Sequence, residues 1–307
     1  MSIPNGYVVP PSWMYLEQLA SRLGLKGTIF YVNSVGGADT GDGLSWETAL
    51  ATIDAAVGKC TANKGDVIMV APGHNEGITT AGAIDLDVAG ITVIGLGTGS
   101  LKPTIDFDNA AASVVIGADN VRIENIRFRT SANAVTVGLD IEAGKNYAQV
   151  INCEFGFAET LTDEFAIAIR TNEASNHALI EGCKFYAGAQ AAVAAIAFVK
   201  NTDQTVVRNC EFWGKHSTAC INGTTTASTN LLIEKNLFYQ DANEPAIELL
   251  TASSGIIRDN DIKTNLATMI ASVVADGCYL FRNYYNEDAN PGTGAVIGTP
   301  SADDSAG

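Results

Sequence analysis

Two carboxylate pairs are the first residues with chemical potential: Asp85 and Asp87 in AIDLDVAG, and Asp106 and Asp108 in TIDFDNA. On an extended chain the D-x-D spacing puts both side chains on one strand face. Two carboxyls held at a suitable separation can serve as acid and base. Solvated strand faces and turn corners give the same spacing, and that is the expectation for both pairs. The same oxygens suit calcium, but no backbone-rich calcium loop surrounds them. His74, His177 and His216 fall at unlike positions with no Ser or Cys nucleophile beside them, which argues against a triad. The 6 cysteines include no CxxC pair, so spacing gives no metal site. No catalytic residue, metal ligand or cofactor is assigned.

Three of those cysteines share a frame. NCEF at 152–155 returns as NCEF at 209–212, with GCKF at 182–185 between them. Extending the alignment gives VRIENIRF, AQVINCEF, ALIEGCKF, TVVRNCEF, LLIEKNLF, IIRDNDI and YLFRNYY. Their anchors are Phe128, Phe155, Phe185, Phe212, Phe238, Ile262 and Tyr285, spaced 27, 30, 27, 26, 24 and 23 residues apart. DVIMVAPG and ITVIGLG are earlier, diverged copies. A period near 25 points to a solenoid, in which each unit buries its apolar face only against its neighbours.

Within a unit the pattern is that of strands. Val121 and Ile123 alternate with Arg122 and Glu124, and after Asn125 the alternation resumes with Ile126 and Phe128. A second apolar segment follows about a dozen residues later, as in EFAIAIR, AAVAAIAFV, PAIELL and TMIASVV. No helix-length segment separates the strands, which disfavours βαβ units and leucine-rich repeats. The expected fold is all-β, a parallel β-helix with equivalent residues stacked in columns about 4.8 Å apart. The residue before each anchor reads Arg127, Glu154, Lys184, Glu211, and opposite charges meet along it. Cys153, Cys183 and Cys210 share a column with Ile126, Asn236 and Asn260, and are read as small hydrophobic fillers. Asn125, Asn152 and Asn209, with Gly182, form a corner column, expected to face inward and satisfy bent backbone groups.

The formal net charge is −16 and no Lys/Arg cluster is present, so nucleic acid and anionic membranes are not expected partners. The N-terminus has neither a basic start nor an apolar h-region, and synthesis in a reducing cytoplasm with free thiols is expected. Four regions are delimited. Residues 1–27 hold an extension whose amphipathic helix, with Trp13, Leu16, Ala20 and Leu23 on one face, suits an anchor or a trimer contact. Residues 28–65 supply a first strand and a capping helix, with Ser45 as N-cap and Leu50, Ile53 and Val57 as apolar face. Residues 66–298 form the β-helix, and 299–307 a flexible acidic tail.

YVNSVGGADTGDGLSWETALATIDAAV resembles the opening segment of right-handed, pectate-lyase-like β-helix proteins, where a strand, a Gly/Asp turn and a capping helix precede the first coil. With the repeats, the resemblance covers about residues 28–298. It implies a right-handed parallel β-helix solenoid with a capping helix, and it extends to phage tailspike-like and capsid decoration proteins. Ala166, Ala168, Ala195 and Ala197 read as outward small residues that let another backbone approach, and they are the expected subunit interface of a homotrimer. The expectation is a non-enzymatic virion surface protein of a bacteriophage. It would be a trimeric capsid decoration protein, made in the host cytoplasm, that binds the major capsid protein and contacts host surface glycans. The alternatives are a tailspike-type polysaccharide hydrolase or lyase, or a glycan-binding receptor-recognition protein using aromatics such as Trp213 and Tyr239.

Overall fold

The computed structural model describes residues 27–156, 164–188, 192–266, 272–287 and 295–297. The expected N-terminal helix with Trp13, Leu16, Ala20 and Leu23, and the tail at 299–307, lie outside them. The chain winds into a parallel β-solenoid of about 8 turns. Three sheets of 10, 10 and 8 strands form its walls, visited in the order sheet 1, sheet 2, sheet 3 in each coil. Sheet 1 begins with Ile29–Val32 and ends with Cys278–Phe281. Sheet 2 runs from Asn75–Ile78 to Asn283–Glu287, with Ala295–Ile297 added antiparallel at its end. Sheet 3 runs from Ile84–Asp85 to Val273–Val274. No helix among the described residues is long and apolar enough to cross a membrane.

The anchor column is continuous. Phe128, Phe155, Phe185, Phe212, Phe238, Ile262 and Tyr285 pair one above the other. Neighbouring phenylalanine rings stack with centroids 4.5, 5.1, 4.9 and 4.6 Å apart. Each such ring contributes roughly 1.5–3 kcal/mol by burial, and each contact about 0.5–1.5 kcal/mol more.

The column two positions before the anchor does more than fill space. Asn236, Asn260 and Asn283 are buried, and their Nδ2 groups donate to the Val207, Ile233 and Ile257 carbonyls at 3.0, 3.0 and 2.9 Å. Their Oδ1 atoms accept from the N–H of Cys210, Asn236 and Asn260 in the coil before. In earlier coils Cys153, Cys183 and Cys210 direct Sγ at the equivalent carbonyls of Ile123, Val150 and Ile180, at 3.9, 3.4 and 3.6 Å. All three thiols are free and buried.

The corner asparagines only partly play the role expected of them. Asn125 is half-buried and its Nδ2 donates to the Gly95 and Gly97 carbonyls at 2.8 and 3.0 Å, whereas Asn152 and Asn209 are exposed. What all three share is backbone conformation: Asn125, Asn152 and Asn209 have φ of 57, 52 and 54°. Asparagine tolerates the left-handed region and glycine adopts it freely, which is why Gly182 substitutes in the third copy. The inward asparagines sit one position later, where the strand of sheet 2 begins.

The opening segment is fastened by buried charge. Glu76 accepts the Ile53 N–H at 3.0 Å and a hydrogen bond from His74 Nε2 at 3.1 Å. His74 Nδ1 accepts the Ser34 N–H at 3.0 Å, so the ring proton belongs on Nε2. The capping helix is shorter than expected, Ile53–Val57, and its N-cap is Thr52. Ser45 instead closes a turn onto Thr48. Leu50 bridges to Val32 ahead of the helix, while Ile53 and Val57 face the core as anticipated.

Candidate functional site

Sheet 2 carries the densest collection of polar and aromatic side chains on its outer face. Alternation dictates this, because the inward anchors leave the residues before and after them pointing out. The column before the anchor holds Arg127, Glu154, Lys184 and Glu211 in register. Glu154 is gripped by Arg127 Nε at 2.9 Å and Lys102 Nζ at 3.2 Å, and Lys184 Nζ lies 3.2 Å from Glu211. Lys184 is held above the usual lysine range by its hydrogen bond to Glu211.

After the anchor come Asp106 and Arg129 near one end, then Tyr186, Trp213, Tyr239 and Lys263 in register. Arg129 pairs with Asp106, whose Oδ1 also accepts from Ser131 Oγ at 2.6 Å. Trp213 and Tyr239 stack with centroids 4.7 Å apart, 19° from parallel. Rings touching at about 3.5–4 Å with that centroid separation are offset, so part of each face stays open. The Lys263 ammonium lies 4.6 Å from the Tyr239 ring centre and donates to its hydroxyl at 3.3 Å. Beside this strip, Asn209, Glu211, Lys235, Leu237, Asp259 and Asp261 line a shallow groove at the corner of sheets 1 and 2.

The two D-x-D pairs occupy different walls and do not form one constellation. Asp85 lies on sheet 3, where Oδ1 is buried without a hydrogen-bond partner. Burial first, then the neighbouring charges of Asp87, Glu142 and Asp54, push its carboxyl upward. Asp108 follows the Thr104–Phe107 strand on sheet 2. The residue is exposed, and its carboxylate lies over Gly77, with Oδ2 only 2.5 Å from where a Cβ would stand. Partial burial first, then the Asp106 charge, raises its pKa. Gly117 makes room for Asp85 Oδ1 in the same way, at 2.6 Å.

The alanine set divides. Ala195 and Ile196 both donate their N–H to the Cys220 carbonyl, at 3.0 Å each, which marks a β-bulge. The bulge breaks the alternation that made Ala195 read as outward. Ala195 and its neighbour Ala168 in the adjacent strand turn into the core, correcting their assignment to an interface. Ala197 pairs with Arg170 on the outer face, where Ala166 is half-buried.

The histidines are all accounted for within the fold. His74 holds Glu76, His177 stacks on Tyr147 at 4.5 Å, and His216 is buried against Cys220. Among the described residues, no three His, Cys, Asp or Glu are grouped to hold a metal ion. Lys102, which grips Glu154 and donates to the Asn152 carbonyl at 2.8 Å, was not legible in the sequence. It precedes Pro103 in a stretch outside the repeat frame. Lys263 was in frame, and only the register reveals the ring beneath it.

No family model and no curated protein matches the sequence. Among solved structures, a GH136 lacto-N-biosidase from Eubacterium ramulus (selenomethionine derivative) aligns over 89% of this chain and 69% of its own, at 10% identity and a TM-score of 0.44. An alginate lyase from Paenibacillus sp. str. FPU-7 aligns over 76% of this chain and 96% of its own, at 16% identity and a TM-score of 0.45. Likeness at this level assigns no activity to this chain.

Proposed function

We propose that this chain is a glycan-binding β-solenoid that lays a polysaccharide along its axis on the outer face of sheet 2. The observation that carries this reading is the half-open Trp213–Tyr239–Lys263 stack beside the corner groove. A sugar ring offers an apolar C–H face and a rim of hydroxyls. The first packs on an aromatic face, and the second suits paired carboxylates, ammonium groups and amides. A sheet already held by the coils beneath it loses little further freedom on binding. Ion pairing along the face leaves no large excess of either sign, which favours neutral or mixed-charge glycans over strongly anionic ones.

Affinity electrophoresis in gels containing different polysaccharides tests the proposal. Retardation by at least one of them is expected, with a loss of about tenfold or more in affinity for Trp213→Ala. Equal retardation of the variant and the parent would sink it. Cleavage is the second reading, favoured by one observation: the raised Asp108 carboxyl lies at the end of the same sheet, next to the ionic Asp106–Arg129 pair. Release of reducing ends or unsaturated sugars, abolished in Asp108→Asn and preserved in Asp85→Asn, is its signature. The virion setting implied by the resemblance is compatible with a glycan-contacting face. That setting is tested separately, by antibody labelling of phage particles.

A further inference from the structure

The outer face of sheet 1 changes character along the solenoid axis. Its first outward column runs Thr92, Arg122, Gln149, and then Leu179, Val206, Leu232, Ile256, Tyr279. Five successive coils thus present apolar side chains to solvent, rising to 37% exposure at Ile256 and 63% at Tyr279. Contiguous apolar surface of this kind marks an interaction site more often than an accident. The adjacent outward column holds Glu181, Arg208, Glu234 and Arg258, paired within the chain at 2.9 and 2.6 Å. These four charges cancel on a chain whose formal charge is −16. The chain as a whole carries excess negative charge, and this ladder adds none to it.

The order of the charges selects the occupant. Consider a two-fold axis lying between two such faces, parallel to the strands and level with the gap between the Val206 and Leu232 coils. Each column then faces its own copy in reversed order. Val206 meets the partner's Leu232, and Leu179 meets the partner's Ile256. Arg208 meets the partner's Glu234, and Glu181 meets the partner's Arg258. Every charge finds its opposite because an alternating ladder of even length inverts its signs when reversed. A three-fold packing with solenoids side by side and parallel sets residues level with their own kind, Glu against Glu and Arg against Arg.

We propose that the outer face of sheet 1 is a homodimer interface, formed by two solenoids packed antiparallel about a two-fold axis. The arrangement differs from the trimer of parallel solenoids expected from the alanine set, and it uses another wall.

Sedimentation velocity over a concentration series is the first measurement, and a reversible monomer–dimer equilibrium is expected. Ile256→Lys should sediment as a monomer with an unchanged circular dichroism spectrum. A second variant reverses the whole ladder: Glu181→Arg, Arg208→Glu, Glu234→Arg and Arg258→Glu together. It keeps each Glu–Arg pairing of the ladder, within the chain and across the two-fold axis, and gives up only the contacts of Arg258 with Asp259 and of Glu181 with Asn209, so it should dimerise with itself. Mixed with fluorescently labelled parent it should form no heterodimer, because Arg208→Glu would then face the parent's Glu234. In-register parallel packing demands the reverse, a preference for mixed pairs. A strictly monomeric parent, a trimer, an Ile256→Lys variant that still dimerises, or preferred mixed pairs would each overturn the proposal. Should the reversed ladder fail to fold, the parent and Ile256→Lys measurements still decide it.

Discussion

His216 makes this fold sensitive to mild acid. The residue is 1% exposed and lines a small void with Phe155, Phe165, Phe185 and Ala195. Cys220 Sγ lies 3.4 Å from Nδ1, and burial keeps that thiol protonated. Burial lowers the His216 pKa from 6.5 to about 4. Above the ordinary value neither the folded nor the unfolded chain carries the proton, and there is no effect on stability. Between the two values only the unfolded chain takes it up, so stability falls as the pH falls. Each pKa unit corresponds to about 1.4 kcal/mol, so the full loss is roughly 3 kcal/mol, complete once the folded-state value is passed.

Other groups titrate in the same range with both signs. Asp85 and Asp108, held high, favour the folded chain as the pH falls, whereas Glu181, held low by Arg208, loses its contribution. These effects are common to a variant and its parent and cancel in their difference. Urea unfolding of the parent and His216→Gln therefore isolates the term. The parent's advantage should shrink by roughly 3 kcal/mol between about pH 7 and pH 4. A difference that stays level across that range refutes the reasoning, as does a His216 ring resonance that titrates near its ordinary value.

Three further outcomes follow from the columns and glycine cradles. Asn260→Ala should lower stability by about 2–4 kcal/mol in urea, since it strands the Ile233 carbonyl and the Asn236 N–H inside the wall. Asn260→Cys should lose less, because cysteines serve the same column two to four coils earlier; equal losses would contradict that equivalence. Gly117→Ala places a methyl 2.6 Å from Asp85 Oδ1 and should swing the carboxyl into solvent. An NMR titration should then find the Asp85 pKa lowered toward the ordinary carboxylate range, and an unchanged value would count against the cradle. Lys235→Gly should stabilise the fold by about 1 kcal/mol, read as a raised melting temperature, because Lys235 holds a φ of 55° at a corner. A lower melting temperature would show that the Lys235 side chain contributes more than its strain.

The repeat was legible because one residue type, the anchoring aromatic, recurs where sheet 2 must fill the interior. The corner before it was legible too, though its purpose was not. Asn152 and Gly182 look chemically unlike, and only their shared positive φ explains the exchange. The inward reading failed because asparagine serves two purposes in this chain. At 209 it bends the backbone, and at 236 it bonds the coil behind it. The bulge at Ala195 was invisible, since alternation assumes one residue per step and two N–H groups here share one carbonyl. The candidate binding strip was only half legible. Trp213 and Tyr239 stand 26 positions apart, so their stacking follows from the register and not from proximity in sequence.

The walls differ in how their carboxylates are partnered. On sheets 1 and 2 Glu181 is met by Arg208, Glu234 by Arg258, Glu154 by Arg127 and Lys102, and Glu211 by Lys184, with Asp108 at the end of sheet 2 the exception, raised by burial and then by Asp106. On sheet 3, Asp140 has Arg170, but Asp85 and Glu248 are both raised, by burial first and then by acidic neighbours. Acidic side chains therefore cluster around Asp85 and Glu248 on sheet 3, the wall that also carries Ala166 and Ala197. Two copies meeting there would bring like charges together across a closing gap, where screening by water is weakest. Small side chains permit close approach, but electrostatics decides whether approach is favourable. The balanced ladder of sheet 1 is a wall on which a second copy is not repelled, and pairing there leaves the aromatic strip of sheet 2 open to its ligand.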